Sequence, residues 1–224
     1  MGFFGVTALF PRHRLRVVLQ THGVTAKEQA LESLGAAGLG KRLRALRGEA
    51  GLSLRDVAGR LDISVSALSQ IERGVLQPSV NRLLAIVDAL GVPLARVFDE
   101  SARDRVSGAS ASGYVLARAG EIGTVELAEG VLYRRLSPAA TSGVDFFEST
   151  YPPGSQSGGE HGLITHRGYE VGTVELGELT IAFEDEVVVL GPGDSITFPC
   201  DVPHRIANRG ADVAMATWLI VHGG

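Results

Sequence analysis

Residues 52–91 read LSLRDVAGRLDISVSALSQIERGVLQPSVNRLLAIVDALG, and this stretch decides the fold of the first half of the chain. Apolar residues recur in it at helical spacing, in three short runs separated by polar breaks. The apolar faces of the three runs are Leu54, Val57, Ala58 and Leu61, then Leu68 and Ile71, then Leu83, Leu84, Val87 and Leu90. Ser53 and Ser64 stand where N-caps belong, and Gly91 ends the last run. Short helices in such close succession predict a helix-turn-helix unit.

One more helix is predicted before this stretch. Apolar residues lie along one stripe at Leu39, Leu43, Leu46 and Ala50, and Gly51 follows. We therefore predict a helical domain over 39–100, preceded by a flexible leader over 1–38 and followed by a linker over 101–113. The linker prediction depends on composition, because SARDRVSGASASG is small and polar.

The predicted third helix has a polar face that suits DNA. Ser66, Ser69, Gln70 and Arg73 lie opposite its apolar stripe at 100° per residue, and none of them is a carboxylate. Small residues near the start of a helix allow close approach to the major groove, and a glutamine amide can pair bidentately with adenine. The start of the second helix offers backbone N–H groups and Arg55 to a phosphate.

The residues of this stretch closely resemble the lambda-repressor/Cro-like (XRE) helix-turn-helix family over about 38–98. The marks are Ser53, Val57-Ala58, the run from Ser64 to Gly74, Pro78-Ser79 and Ala89-Leu90-Gly91. The resemblance implies that Ser66 and Gln70 face base edges, with Val65 and Ala67 available to thymine methyl groups. It implies that phosphates are held by Ser53, Arg55, Arg73 and Asn81.

Two further positions follow from the same resemblance. Glu72 is expected to form a structural ion pair with Arg47 and not to contact DNA. Asp62 stands where the family prefers glycine at the turn, and we expect the turn to survive because Asp tolerates the left-handed backbone region.

Charge divides the chain in the same place as the helical pattern. Residues 1–112 carry 15 Lys and Arg against 10 Asp and Glu, whereas residues 113–224 carry 6 against 15. This asymmetry favours contact with a polyanion through the first half only. The single Cys200 excludes an internal disulfide and suits a reducing cytoplasm. We find no secretory signal and no apolar run long enough for a membrane helix, so we expect a cytoplasmic protein.

From residue 114 onward the pattern predicts short strands. Alternating apolar and polar residues at 179–184 are followed by the turn Glu184-Asp185-Glu186, a return strand and the turn 191–194, which reads GPGD. Many short strands with such turns indicate a closed sandwich or barrel. The expected fold is therefore α + β with two domains, all-α helix-turn-helix first and an all-β domain over 114–224.

The second half resembles the cupin superfamily, which implies a jelly-roll barrel. The first cupin motif matches at His166, Glu170 and Gly177, and the second matches at Gly193, Pro199, His204 and Asn208. Ile164 replaces the first histidine of the family's metal-binding set, and Asp201 replaces a glycine. The set that remains is His166, Glu170 and His204, which suits Fe, Mn or Zn as a divalent metal.

Whether a metal is bound stays open in the sequence. Residues four apart on a straight strand lie about 13 Å apart, so His166 and Glu170 can share an ion only if the chain folds back between them, which Gly168 allows. The alternative is a metal-free pocket that binds an organic effector, with both histidines as hydrogen-bonding walls. Cys200 is expected near the pocket mouth as a small buried residue.

These observations favour a homodimeric transcriptional regulator that reads a double-stranded DNA operator and responds to a small-molecule effector through the cupin domain. No catalytic residue is predicted in that hypothesis. The alternative is an enzyme, a mononuclear non-haem iron cupin of the hydroxyalkylphosphonate epoxidase type, which shares the His-x3-Glu and later His. A third hypothesis is a DNA-binding scaffold with a purely structural cupin domain. Arginines in the acidic half, at 118, 134, 135, 167 and 205, offer seats for a carboxylate effector.

Overall fold

The computed structural model describes residues 33–98, 113–118, 123–158 and 162–222. The helical half contains α1 (Ala36–Glu49), α2 (Leu54–Arg60), α3 (Val65–Glu72), α4 (Val80–Leu90) and a 3-10 helix (Leu94–Phe98). The predicted helix-turn-helix unit is present, with α2 and α3 joined by a short turn. Asp62 adopts a φ of 51° in that turn, so the expected left-handed conformation is confirmed.

The helix ends follow from their capping residues. The Ser53 hydroxyl accepts from the Asp56 backbone N–H at 3.2 Å, and the Asp56 carboxylate accepts from the Ser53 N–H at 2.8 Å, so the capping box is complete. These hydrogen bonds with Ser53 lower the pKa of Asp56. Ser64 caps α3 by accepting from the Ala67 N–H at 3.0 Å.

The predicted apolar stripes form the core of the helical half, with one exception. The innermost side chains are Leu39, Leu43, Leu46, Val57, Ala58, Leu68, Ile71 and Leu83. Ala50 is exposed, because α1 ends before it and Ala50 serves as the C-cap. Helix α1 also begins at Ala36, three residues earlier than the predicted domain boundary at 39.

The second half is a two-sheet β domain. Its strands are β1 (Ser33–Leu34), β2 (Thr124–Glu126), β3 (Leu132–Arg135), β4 (Val144–Tyr151), β5 (Tyr169–Leu176), β6 (Leu179–Ala182), β7 (Val187–Leu190), β8 (Ser195–Pro199), β9 (Arg205–Ala207) and β10 (Ala214–Val221). One sheet has the order β1-β2-β3-β4-β10-β5-β8 and the other β7-β6-β9. All pairings are antiparallel except that β1 runs parallel to β2. The α + β two-domain prediction is confirmed.

The segment before α1 adds a strand to this sheet, although the whole helical half separates it from β2 in the sequence. Strand β1 precedes α1 in the chain yet pairs with β2, through Ser33 opposite Thr124. Both residues of β1, Ser33 and Leu34, belong to the stretch predicted as a leader, and residues 1–32 lie outside the described part. Most of the predicted linker, residues 101–112, also lies outside it.

Strand β10 lies between β4 and β5 in the larger sheet, and its side chains alternate between buried and more exposed. Ala214, Ala216, Trp218 and Ile220 are buried, while the residues between them are more exposed. Trp218 donates from its indole N–H to the Ser149 hydroxyl at 2.8 Å. A Cβ at position 172 of the neighbouring strand would lie 2.1 Å from the Trp218 ring, so the indole occupies the space that a side chain there would need.

The two domains pack on each other at two places. Near the start of α4, the Asn81 backbone N–H donates to the Ser157 carbonyl at 3.1 Å, and the Ala128 N–H donates to the Pro78 carbonyl at 3.0 Å. These four residues, Pro78, Asn81, Ala128 and Ser157, define what we call the α4 contact.

The second place lies beyond the end of α4. The Ala95 N–H donates to the Asp145 carboxylate at 3.3 Å, and Arg135 donates to the Ala95 carbonyl at 3.2 Å. Two buried charged residues of the barrel, Asp145 and Arg135, thereby hold the 3-10 helix. In the described ranges, no helix is both long and apolar enough to cross a membrane.

Candidate functional site

Helix α3 presents the predicted DNA-reading face to solvent. Val65, Ser66 and Arg73 are exposed, and Ala67, Ser69 and Gln70 are half-buried. The Gln70 amide lies 3.5 Å from the Ser66 hydroxyl, and Arg73 donates to the Ser69 carbonyl at 3.2 Å. These contacts are within the helix, so the polar groups remain available to an external partner.

Exposed groups at the start of α2 extend this face. Ser53 and Arg55 are both exposed. The structure thus brings eight of the nine residues predicted for DNA to accessible or half-accessible positions on α2 and α3. Their contacts with bases and phosphates remain predictions.

The single carboxylate of α3 is kept away from this face. Glu72 is buried and accepts two hydrogen bonds from Arg47, at 2.6 and 2.9 Å. The pKa of Arg47 is raised by these hydrogen bonds, although its burial acts in the opposite direction. The predicted structural ion pair is confirmed, and α3 exposes no carboxylate on its predicted DNA-reading face.

Asn81 differs from the other predicted phosphate contacts. It is only 4% exposed, and its buried side-chain N–H₂ group has no hydrogen-bond partner among the residues that the structure describes. Its backbone belongs to the α4 contact, and its amide lies 3.2 Å from where a Cβ of residue 158 would be. In this arrangement Asn81 can reach a phosphate only after the cupin domain moves away, and its role stays a prediction.

Glu129 is a residue near the DNA-reading half that sequence analysis did not single out. It lines a cleft together with the first turn of α3 and with Ser79 and Arg82 of α4. Its backbone φ of 61° is unusual for a residue other than glycine, and its carboxylate accepts from the Gln156 N–H at 2.8 Å. No motif marks it, because its position depends on how the domains meet.

The three residues predicted for the cupin site converge inside the barrel. The Glu170 carboxylate lies 3.6 Å from His166 Nε2 and 3.5 Å from His204 Nε2. All three side chains are largely buried, and Glu170 is 4% exposed. We call this group the His–Glu–His centre.

Gly168 brings the first two members together. Its φ of 107° is a conformation that other residues rarely adopt, and a Cβ there would lie 2.3 Å from the Val221 carbonyl. The chain therefore turns just before β5, and His166 and Glu170 meet despite being four residues apart. The fold-back expected from the sequence is confirmed.

The histidine rings are oriented by their second nitrogens. His204 Nδ1 lies 2.8 Å from the Val202 carbonyl and His166 Nδ1 lies 3.4 Å from the Arg167 carbonyl. A carbonyl can only accept, so each Nδ1 carries the proton, and in a neutral ring Nε2 then presents a lone pair toward Glu170. Three hydrogen-bond acceptors that face one another repel unless a positive charge, either a proton or a metal ion, lies between them.

The pKa of Glu170 also indicates a positive charge at the centre. Burial by itself raises the pKa of Glu170, but the hydrogen bonding and positive charge that His166 and His204 supply when their Nε2 atoms are protonated outweigh it, so the pKa lies below its usual value. Among the described residues the buried Tyr151 hydroxyl has no hydrogen-bond partner, and its burial, with a smaller contribution from the charge of Glu170, raises its pKa. A cation at the centre would offset this concentration of negative and lone-pair charge.

Cys200 also belongs to this neighbourhood. One ligand atom each from His166, Glu170 and Cys200 all lie within 4.8 Å of one another. Cys200 is fully buried, as expected, and burial followed by the charge of Glu170 raises its pKa to about 12. The sequence favoured a packing role for Cys200, whereas the structure adds a sulfur donor beside the centre.

The donor set fits a divalent metal ion. Imidazole and carboxylate donors bind such ions at about 2.0–2.2 Å. Glu170 lies 3.6 and 3.5 Å from the two histidine Nε2 atoms, but the group whose ligand atoms all lie within 4.8 Å of one another is His166, Glu170 and Cys200, without His204. Ile164 occupies the position of the family's first histidine, and its backbone pairs with His204 through hydrogen bonds of 3.0 and 2.9 Å. His166 and Glu170 would therefore hold a metal, with a third donor from His204 or Cys200.

Comparison with known protein families supports both domains. The helix-turn-helix domain family matches residues 39–97, and the cupin domain family matches residues 147–221. These ranges fall within the two halves identified from the sequence.

Two relatives that the chain resembles in sequence are helix-turn-helix transcriptional regulators. The chain is 28% identical over 174 residues to the HTH-type transcriptional regulator PuuR of Escherichia coli (strain K12), covering 78% of this chain and 89% of PuuR. It is 39% identical over 75 residues to the HTH-type transcriptional regulator DdrOP3 of Deinococcus deserti, covering 33% of this chain and 58% of that protein.

A solved structure shares the overall fold. It is an HTH_3 family transcriptional regulator from Vibrio cholerae, with a TM-score of 0.61 and 22% identity, and the match covers 85% of this chain and 98% of that one. The chain therefore combines an XRE-like helix-turn-helix DNA-binding domain with a cupin domain, and it is homologous to helix-turn-helix transcriptional regulators.

Proposed function

We propose that this protein is a cytoplasmic, sequence-specific transcriptional regulator whose cupin domain binds a small-molecule effector and so modulates operator binding. In the active form, two copies place their α3 helices in successive major grooves of one operator. A dimer is proposed because a single short recognition helix reads too few bases for specificity, whereas two half-sites one helical turn apart double the contact.

The α4 contact is the observation that carries the regulatory part of this proposal. The cupin domain buries Asn81 beside the first turn of the helix that follows α3, and it brings the Glu129 carboxylate to the same cleft. A negative charge at this edge opposes a nearby phosphate. Any ligand that favours separation of the domains at this contact would therefore favour DNA binding.

A metal ion is proposed as a structural part of the sensor. His166, Glu170 and His204 would hold it, and it would supply a fixed positive charge at the centre. Equilibrium dialysis of the purified protein with Fe(II) under anaerobic conditions, Mn(II) or Zn(II) tests this. We expect one equivalent to bind to the wild type and none to Glu170→Gln, and equal retention by both would contradict the assignment.

The DNA-reading assignment is tested by Gln70→Ala. Duplexes selected in vitro from a random pool supply the operator. Loss of one bidentate base contact should weaken binding by about 1–3 kcal/mol and relax preference at one position, with the fold intact because alanine is a good helix former. Unchanged affinity and preference would remove α3 as the recognition helix.

Two arginine variants provide the matched control for Gln70→Ala. Arg73→Gln should weaken binding to all duplexes and reduce the slope of affinity against salt by about one phosphate contact. Arg44→Gln removes an exposed charge from α1 and should have a much smaller effect. Equal effects of the two would mean that only net charge matters.

The His–Glu–His centre also suits a second function, that of a non-haem iron enzyme. Two histidines and one carboxylate with open positions are the ligand set of many such enzymes. Anaerobic loading with Fe(II), followed by oxygen consumption with hydroxyalkylphosphonates, separates the two proposals. Substrate-dependent oxygen uptake that Glu170→Gln abolishes would support the enzyme, and its absence would support the regulator.

A further inference from the structure

A cavity of about 260 Å³ lies between the end of α4 and one end of the barrel, away from the α4 contact. Val87 and Val92 line it from the helical half, and Val144 and Ile220 line it from the cupin half. Its volume is below the roughly 300–1,000 Å³ of pockets that hold drug-sized ligands. The size and the apolar walls suit a small molecule with a short hydrocarbon body.

Arg167 supplies a charged group at the rim of this cavity. It lines the cavity and is exposed. Two other arginines of the cupin half are engaged elsewhere, because Arg134 forms a two-point pair with Glu148 and Arg135 donates to the Ala95 carbonyl. No carboxylate of the described ranges forms an ion pair with Arg167, so its guanidinium is available to a carboxylate from outside.

Two carboxylates also line the cavity, and neither cancels the positive charge of Arg167 at its rim. The Asp145 carboxylate is already engaged, because it lies 2.8 Å from His222 Nε2 and also accepts from the Ala95 N–H. Asp88 is exposed on the helical side of the cavity. A carboxylate would therefore lie toward Arg167 and away from Asp88.

His166 connects the cavity to the His–Glu–His centre. It lines the cavity, and its Nε2 is buried 3.6 Å from Glu170, with no hydrogen bond to any residue of the described ranges. A molecule in the cavity would contact a side chain of the centre on one wall and α4 on the other.

We infer that this interdomain cavity is a binding site for a small aliphatic carboxylate, held by Arg167 and packed against Val87, Val92 and Ile220. The inference rests on the proposed function and specifies where its effector binds. Because the walls come from both domains, an occupant alters the packing of α4 on the barrel. In this arrangement the barrel interior holds His166 in place at one wall of the cavity, and the ligand binds in the cavity itself.

Isothermal titration of the full chain with sodium hexanoate tests this site, with hexylamine as the probe of opposite charge. We expect saturable binding of hexanoate with a dissociation constant on the order of 1 mM, as for a ligand of few atoms, and no binding of hexylamine. Arg167→Gln should weaken hexanoate binding at least tenfold. Val92→Phe should abolish it by filling the cavity.

Val189→Phe is the matched control, because Val189 is exposed on β7 and does not line the cavity. It should bind hexanoate like the wild type. The inference is overturned if hexanoate fails to bind, if hexylamine binds instead, or if Val92→Phe binds normally while His204→Ala does not, since the last result places the ligand inside the barrel.

Failure of this site and failure of the proposed function are distinguishable in the same samples. Hexanoate binding that leaves affinity for the selected duplex unchanged would refute the regulatory proposal and keep the site. A duplex affinity that responds to hexanoate equally in wild type and Val92→Phe would refute the site and keep the regulation.

Discussion

Replacing Arg47 by Met should destabilise the helical half strongly while leaving the barrel folded. Arg47 and Glu72 form a two-point ion pair, and their side chains are 15% and 5% exposed. Arg47 also donates to the Leu52 carbonyl at 2.9 Å, at the loop between α1 and α2. The substitution keeps most of the aliphatic volume but leaves the Glu72 carboxylate buried without a partner.

The magnitude follows from the burial of Glu72. Removing one member of a buried pair costs about 3–5 kcal/mol, because the remaining charge has lost both its partner and its water. For a helical domain of this size, each kcal/mol corresponds to about 4–8 °C of melting temperature, so we expect the helical transition to fall by at least about 12 °C. Replacing both residues, as Arg47→Met with Glu72→Leu, should restore most of the loss, since no buried charge remains.

Two spectroscopic signals separate the domains in this experiment. Circular dichroism at 222 nm follows the helices, and the fluorescence of Trp218, the single tryptophan, follows the barrel. Urea unfolding of the full chain should show an earlier helical transition in Arg47→Met and little change in the Trp218 transition. A loss below about 1 kcal/mol, or a double variant no more stable than the single one, would refute the reasoning, because exposed pairs behave in that way.

Three further predictions concern single positions. Ser53→Ala removes the capping box of α2 and should lower the stability of the helical half by about 0.5–2 kcal/mol in urea unfolding, with Asp56→Ala giving a similar loss. Gly172→Ala should shift the Trp218 emission and destabilise the barrel, because the added Cβ meets the indole; an unchanged spectrum and midpoint would contradict this packing. Cys200 has a pKa of about 12 against an ordinary 9.0, so with EDTA present the unfolded thiol ionises first and stability falls above pH 9 by up to about 1.4 kcal/mol per pH unit. Cys200→Ala should lack this fall, and identical pH profiles for the two proteins would exclude a buried, protonated thiol.

Much of the architecture is determined locally and could be predicted from the sequence. The helices follow from apolar spacing and from serine caps, and the Asp62 turn follows from the tolerance of that residue for positive φ. The proximity of His166 and Glu170 could be predicted, because Gly168 permits the chain to fold back within four residues. These features depend on interactions between neighbours in the chain, which a sequence displays directly.

The tertiary structure alone decided which residues meet across long separations. Cys200 reaches His166 through the pairing of the segment after β8 with the segment before β5, and no local spacing encodes that register. The burial of Asn81, the position of Glu129 and the cavity beside Arg167 all depend on how the cupin domain packs against α4. The physical reason is that each domain folds on its own pattern, whereas the contact between them depends on two complementary surfaces that share no period in the sequence.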